Sequence, residues 1–257
     1  MNLVLTEKIS VVRLLTRREV LGFMSTAAAV MIFGGRRDQS GDLKVGQNIQ
    51  SSALAATGPS CLVRPEQTEG PYFIDERLYR SDIRSDPSDG SMRPGLPLRL
   101  AFQVSRVEGS SCAPLAGAAV DIWQCDATGV YSDVRDTNGD TRGKKFLRGY
   151  QVTNAGGAAE FLTIYPGWYP GRAVHIHFKI RTDSPSRRDY EFTSQLYFDE
   201  SVTDQIHKQA PYNGKGYRST TNDKDSIFRQ GGKQLIPALT KNADGYAAKF
   251  EIGLQMT

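Results

Sequence analysis

His175 and His177 stand one residue apart in the run AVHIHFKI. On a strand both imidazoles point to one face, while Ile176, Phe178 and Ile180 point to the other. Two imidazoles about 7 Å apart on one strand can converge on a single ion. Two hydrogen-bonded histidines on a sheet face are the equally simple alternative. The residues upstream bear on the choice. The loop YPGWYPGR, stiffened by Pro and Gly, sets Tyr169 six residues and Arg172 three residues before His175. Earlier, DIWQCDATGVYSD ends a strand and delivers Tyr131 through a Gly-containing turn. In a chain with eleven tyrosines, either one taken alone is more often a core or turn aromatic.

Cys125 supplies a rival set. Cys125, His175 and His177 with a water fourth are ligands that zinc prefers, and would make a hydrolase. That set leaves the spacing of Tyr169 and Arg172 without a purpose. A third class, a non-catalytic β-sandwich module that binds sugar or protein, needs no tyrosines beside the two histidines.

The elements that must carry these residues read mainly as strands. LRLAFQVS (98–105) alternates Leu98, Leu100, Phe102 and Val104 with polar neighbours, as a half-buried strand does. GAAVDIWQCD (117–126), FLRGYQVTN (146–154), AAEFLTIY (158–165), AVHIHFKI (173–180), YEFTSQLYF (190–198) and YAAKFEIGL (246–254) follow, each bounded by turn residues. Only VTDQIHKQ (202–209) looks helical. Residues 57–95 form an irregular arm rich in Pro, Gly, Asp and Ser, with TEGPYF its one compact apolar piece. The expected fold is mainly β, a β-sandwich of mixed and antiparallel sheets with long irregular loops and little helix, in one domain over residues 57–257.

Composition narrows the partners. The formal charge is +4, but residues 1–56 hold seven basic against four acidic side chains, leaving 25 against 24 in the remainder. A nearly neutral body has no excess cations to neutralise phosphates, which argues against nucleic acid. Within 1–56, Arg17 and Arg18 precede an apolar run from Val20 to about Phe33, and SALAA follows at 52–56. This resembles a twin-arginine export signal, so a periplasmic or extracellular location is expected, with an uncleaved membrane anchor as the rival reading. The run is shorter than the roughly 20 apolar residues of a spanning helix. Of three cysteines, Cys61 and Cys112 lie near predicted loops where a disulfide could close, and Cys125 falls inside an apolar strand.

The runs TEGPYF, DIWQCDATGVYSD, FLRGYQVTNAGGAAEFLTIYPGWYPGRAVHIHFKI and TSQLYF together resemble the intradiol ring-cleavage catechol dioxygenases, of the exported, single-domain, protocatechuate-3,4-dioxygenase-like type. The resemblance spans residues 68 to 198 in family order. It implies one non-haem Fe(III) per chain, held by Tyr131, Tyr169, His175 and His177. A phenol of pKa near 10 loses its proton only in the field of a strong cation, which suits that metal. It further implies a catechol-type substrate, O2 as co-substrate and a cis,cis-muconate-type diacid as product. Tyr169 would exchange for substrate, Arg172 would stabilise negative charge, and Gln195 would orient the ring or the oxygen. Tyr72 falls in a segment that lines the substrate mouth in relatives; pinning the arm to the sandwich is its other reading. Gln124 stands after Trp123, where many exported members carry His, and homo-oligomerisation is left open.

Overall fold

The computed structural model describes residues 62–136, 139–182 and 190–256. The expected export signal in 1–56, and Cys61 of the expected disulfide, lie outside those residues. In chain order the strands are β1 (Pro97–Glu108), β2 (Ser111–Pro114), β3 (Ala119–Trp123), β4 (Arg135–Asp136), β5 (Gly139–Asp140), β6 (Arg148–Val152), β7 (Ala158–Ile164), β8 (His175–Thr182) and β9 (Tyr190–Tyr197). Helix α1 (Glu200–His207), β10 (Ala238–Lys241) and β11 (Tyr246–Gln255) complete them. All seven expected strands are present. The additional ones have two to four residues and are defined by ladder hydrogen bonds, too short to leave a periodic pattern in sequence.

One sheet is centred on β1, which pairs in parallel with β11 and antiparallel with β7 and β2, while β10 extends it beyond β11. The other runs β6-β3-β8-β9, all antiparallel. Leu98, Leu100, Phe102 and Val104 of β1 and Phe250, Ile252 and Leu254 of β11 meet Val120, Ile122, Ile176, Phe178 and Ile180 in one buried core. Phe102, Phe178 and Phe250 form its aromatic centre, with ring centroids 5.3, 5.5 and 5.9 Å apart. The alternation that turns Ile176, Phe178 and Ile180 inward turns His175 and His177 outward, so the histidines sit on the back of the second sheet.

That back face is covered by chain without regular structure. The arm is clasped to it. The Gln67 amide N–H donates to Thr193 O at 3.0 Å, Gln195 Nε2 donates to Thr68 O at 2.9 Å, and Tyr197 OH donates to Gln67 Oε1 at 2.8 Å. Further along, single bridges pair Tyr79 with Tyr150 and Asp82 with Leu162. Helix α1 begins two residues before the expected start because Asp199 caps it, accepting from the Ser201 and Val202 amides at 2.8 and 3.2 Å. The expectation that Cys125 lies in a strand is corrected. Strand β3 ends at Trp123, and Asp126 then folds the chain by accepting from Thr128 and Val130, so Cys125 sits in the buried loop between them. Cys112 lies in β2 and is disulfide-bonded, whereas Cys125 is free.

Candidate metal centre

Strand β8 supplies two adjacent imidazoles. His175 Nδ1 donates to Ala173 O at 2.6 Å, which leaves Nε2 as a lone pair directed into the site. His177 Nε2 lies 3.0 Å from it, and the His177 ring stacks on Trp123 at 4.9 Å with 6° between planes. The turn after β3 delivers Tyr131, and the loop before β8 delivers Tyr169. Their hydroxyls lie 3.5 and 3.2 Å from His175 Nε2. The Tyr131 turn depends on Gly129, which has φ +84° and whose position would put a Cβ 2.1 Å from Trp168 O. The two loops that carry the tyrosines are therefore pressed against each other backbone to backbone.

Arg172 is wired into the same cluster. Its Nε donates to Asp225 Oδ2 at 3.0 Å and its Nη2 to Gln195 Oε1 at 2.5 Å, and its Nη1 stands 3.5 Å from His175 Nε2. Burial works against the Arg172 charge, yet Tyr169, Asp225 and Tyr197 hold its pKa above the ordinary value. Gln195 is fully buried and held at both ends, so it is no solvent-facing strand residue. Tyr72 stacks on Tyr131 with ring centroids 4.3 Å apart and meets Tyr169 edge-on at 6.1 Å. The sequence reading brought together Tyr131, Tyr169, Arg172, His175, His177, Gln195 and Tyr72, and all seven do meet here.

It missed Asp225, Tyr197 and Arg148. Asp225 is 1% exposed and also accepts from the Ala173, Ile227 and Phe228 amides at 2.9, 2.7 and 3.3 Å. Arg148, 3% exposed, donates to Ser132 Oγ and O and to Tyr72 O at 2.8, 2.7 and 2.6 Å. Asp225 comes from a segment remote in sequence, nothing local distinguishes it or Arg148 from a surface charge, and Tyr197, which shares the Gln195 face of β9, reads as an ordinary strand aromatic. Gln124 is buried, donates to Ile164 O at 2.9 Å and accepts from Thr163 Oγ1 at 2.9 Å, so it ties the end of β3 to β7 rather than entering the centre.

The donor set fits an oxidised metal ion. Burial, and then the neighbouring Tyr169, push the Tyr131 phenol well above its ordinary pKa, and burial raises Tyr169 as well. Burial, then Arg172, lowers His175 to about 3, and burial, then His175 and Arg172, holds His177 well below its ordinary value. Without a cation the four groups are neutral, and two imidazole nitrogens face each other at 3.0 Å. His177 Nδ1 has no protein partner, and a proton there leaves both Nε2 lone pairs facing inward. A trivalent cation would satisfy both lone pairs and draw off the phenolic protons. The zinc alternative is corrected: among the described residues no three His, Cys, Asp or Glu side chains converge as a metal site. The Cys125 thiol instead reaches Gly167 O at 3.7 Å, and burial pushes its pKa up, away from the thiolate that zinc binds.

A two-sheet sandwich with a Tyr/His donor cluster under loops on its back face is the class that fold and site define. The family model described as "Dioxygenase" matches residues 68–245. A solved intradiol ring-cleavage dioxygenase from Tetranychus urticae is 33% identical at a TM-score of 0.64, covering 76% of this chain and 95% of its own. The dioxygenase domain of a dioxygenase–carbohydrate-binding protein fusion from Streptomyces sp. SirexAA-E is 30% identical at 0.54, covering 76% and 99%. A chlorocatechol 1,2-dioxygenase from Pseudomonas sp. (strain P51) is 30% identical over 146 residues, 51% of this chain and 54% of that one. The chain spans about half the length of the curated relatives it matches. It belongs to the intradiol ring-cleavage dioxygenase family.

Proposed function

We propose that the protein is a non-haem Fe(III) enzyme that opens the ring of a catechol-type substrate between its two hydroxyl-bearing carbons. O2 is the co-substrate and a cis,cis-muconate-type diacid the product. The observation that carries this reading is the meeting of two phenol oxygens and two imidazole Nε2 atoms, with His175 Nε2 within 3.5 Å of the other three. Tyr131, Tyr169, His175 and His177 would hold the ion. When bound, Fe(III) withdraws electron density from a catecholate and so makes a ring carbon reactive toward O2.

The remaining work falls to this chain's own groups. Tyr131 and the two histidines are nearly fully buried, which suits permanent ligands. Tyr169 is partly exposed, so it is the phenol that can swing aside for a substrate oxygen and accept a substrate proton at its own oxygen. Arg172 presents a fixed positive charge beside His175 Nε2, where a catechol dianion would gain most from it, and Asp225 and Gln195 keep that guanidinium from rotating. The stacked Tyr72 and Trp123 rings limit water at the centre. The same reading takes residues 1–56 as an export signal, tested by the amino-terminal sequence of protein recovered outside the cytoplasm.

Iron analysis, the visible spectrum and oxygen uptake across substituted catechols, with product identification, test the activity. Bound iron, a tyrosinate-to-iron colour and a ring-opened diacid are expected. Colourless protein that consumes no oxygen with any catechol would overturn it.

A further inference from the structure

We propose that Lys215 is a positioning residue of this centre, an ammonium clamp that ties the loop carrying Tyr169 to the turn carrying Tyr131. The inference rests on the ferric reading above. At one end the two segments hold each other directly. The Gly167 amide donates to Asp126 O at 3.1 Å, and Asp126 Oδ1 accepts from the Thr128 and Val130 amides at 2.9 and 3.1 Å. Nearer the tyrosines they present acceptors instead. Trp168 O belongs to the residue before Tyr169 and Thr128 O lies three residues before Tyr131, and among the described residues neither receives a donor from the two loops. Two carbonyls cannot bond each other, so a donor from a third segment must join them.

Lys215 supplies it. Its Nζ donates to Thr128 O at 3.0 Å and to Trp168 O at 3.2 Å, and it stands 5.1 Å from the centre of the Trp168 ring. A Cβ at Gly129 would lie 2.7 Å from the same Nζ, so the ammonium sits where the two loops touch. Its own segment is held firmly. Lys215 ends the short helical turn Tyr212–Lys215, in which Tyr212 is 1% exposed, donates its hydroxyl to Tyr165 O and accepts from the Leu96 amide, both at 2.8 Å. The clamp is thus anchored to the chain just ahead of the Tyr169 loop. Tyr169 is the phenol that exchanges for substrate in the proposed reaction. Fixing the Trp168 carbonyl keeps the Tyr169 backbone in place while the side chain leaves and returns, and so favours the metal-bound position over the displaced one.

The test compares Lys215→Met, which keeps the stem and removes the donors, with Lys215→Arg, which keeps charge and donors. Iron-loaded full-length protein is read by its visible tyrosinate band, by iron loss to a ferric chelator and by catechol titration without oxygen. Lys215→Met should lose iron at least about tenfold faster and show a weaker or shifted band per iron. Catechol should bind the iron that remains at least as tightly as in the parent, because Tyr169 is then easier to displace. Lys215→Arg should return the rate of iron loss to within about threefold of the parent. General damage would instead weaken iron and catechol binding together. That result, or an unchanged band and rate of iron loss in Lys215→Met, would overturn the inference. Amide hydrogen exchange of the metal-free protein separates the clamp from the ferric reading, since Lys215→Met should speed exchange in both 126–131 and 166–172. Faster exchange in a protein that binds no iron would support the clamp while sinking ferric iron; unchanged exchange would overturn the clamp whatever the metal content.

Discussion

Removing one donor and removing the charge beside the donors should have separable effects. Tyr131→Phe or His177→Ala takes away a buried group that nothing else replaces, so either variant should lose iron or its colour, measured by metal analysis and absorption. Arg172→Ala leaves all four donors in place and should keep iron while turnover falls by about a hundredfold or more. Normal turnover in that variant would show that its charge is not used. Asp225 gives a pH prediction at the same scale. Burial alone would raise its carboxyl, but the Ala173 amide, the Arg172 guanidinium and the Ile227 amide hold it below the usual carboxylate range. The folded form thus releases this proton more readily than the unfolded chain. The stabilisation is present above the unfolded pKa near 4 and is lost as pH falls through the folded value. Urea denaturation between pH 3 and 7 should show a shallower acid-side slope in Asp225→Asn.

Among the elements, two loops and one strand must keep their mutual positions, and the contact between the loops is where this is most exposed to change. Gly129→Ala adds a methyl 2.1 Å from Trp168 O at a residue with φ +84°. Because that methyl would separate the Tyr131 turn from the Tyr169 loop, we expect a loss of about 1–3 kcal/mol or more in chemical denaturation together with weaker iron retention. An alanine variant of unaltered stability and iron content would mean the loops can part without cost. The strand was legible in advance because alternation alone assigns His175 and His177 to one side. The loop contact was not, since no pattern in DATGVYSD says which backbone it will press against.

For the molecule as a whole, the sandwich core and the candidate centre lie on opposite faces of one sheet. Phe178 packs against Phe102 and Phe250 on the core side, in the strand whose other side carries both histidines. Phe178→Ala should cost about 3–5 kcal/mol of unfolding free energy. The loss should appear as a lower denaturation midpoint, with the iron spectrum of the remaining folded protein unchanged, because the histidine side of the strand is untouched. A spectrum altered in folded protein would show that the two faces are coupled.

Tyr72, Tyr131 and Gln195 entered only through the family resemblance, whereas the sequence by itself determined the strands, the division of β8 into a core face and a chemical face, and the grouping of Tyr169, Arg172, His175 and His177 in one segment. Those follow from short-range rules: a period of two, turn residues at strand ends, and a Tyr, Arg and His spacing within one segment. Tertiary structure alone decided that Asp225 anchors Arg172, that Arg148 holds the Tyr72 carbonyl, and that the Tyr72 hydroxyl donates to Asp136. It also decided that the Cys125 thiol meets Gly167 O and forms no metal-type group with the histidines among the described residues. The reason is physical. These contacts join residues more than forty positions apart, and whether a polar group far along the chain is buried against a given partner depends on loop packing that no local periodicity encodes.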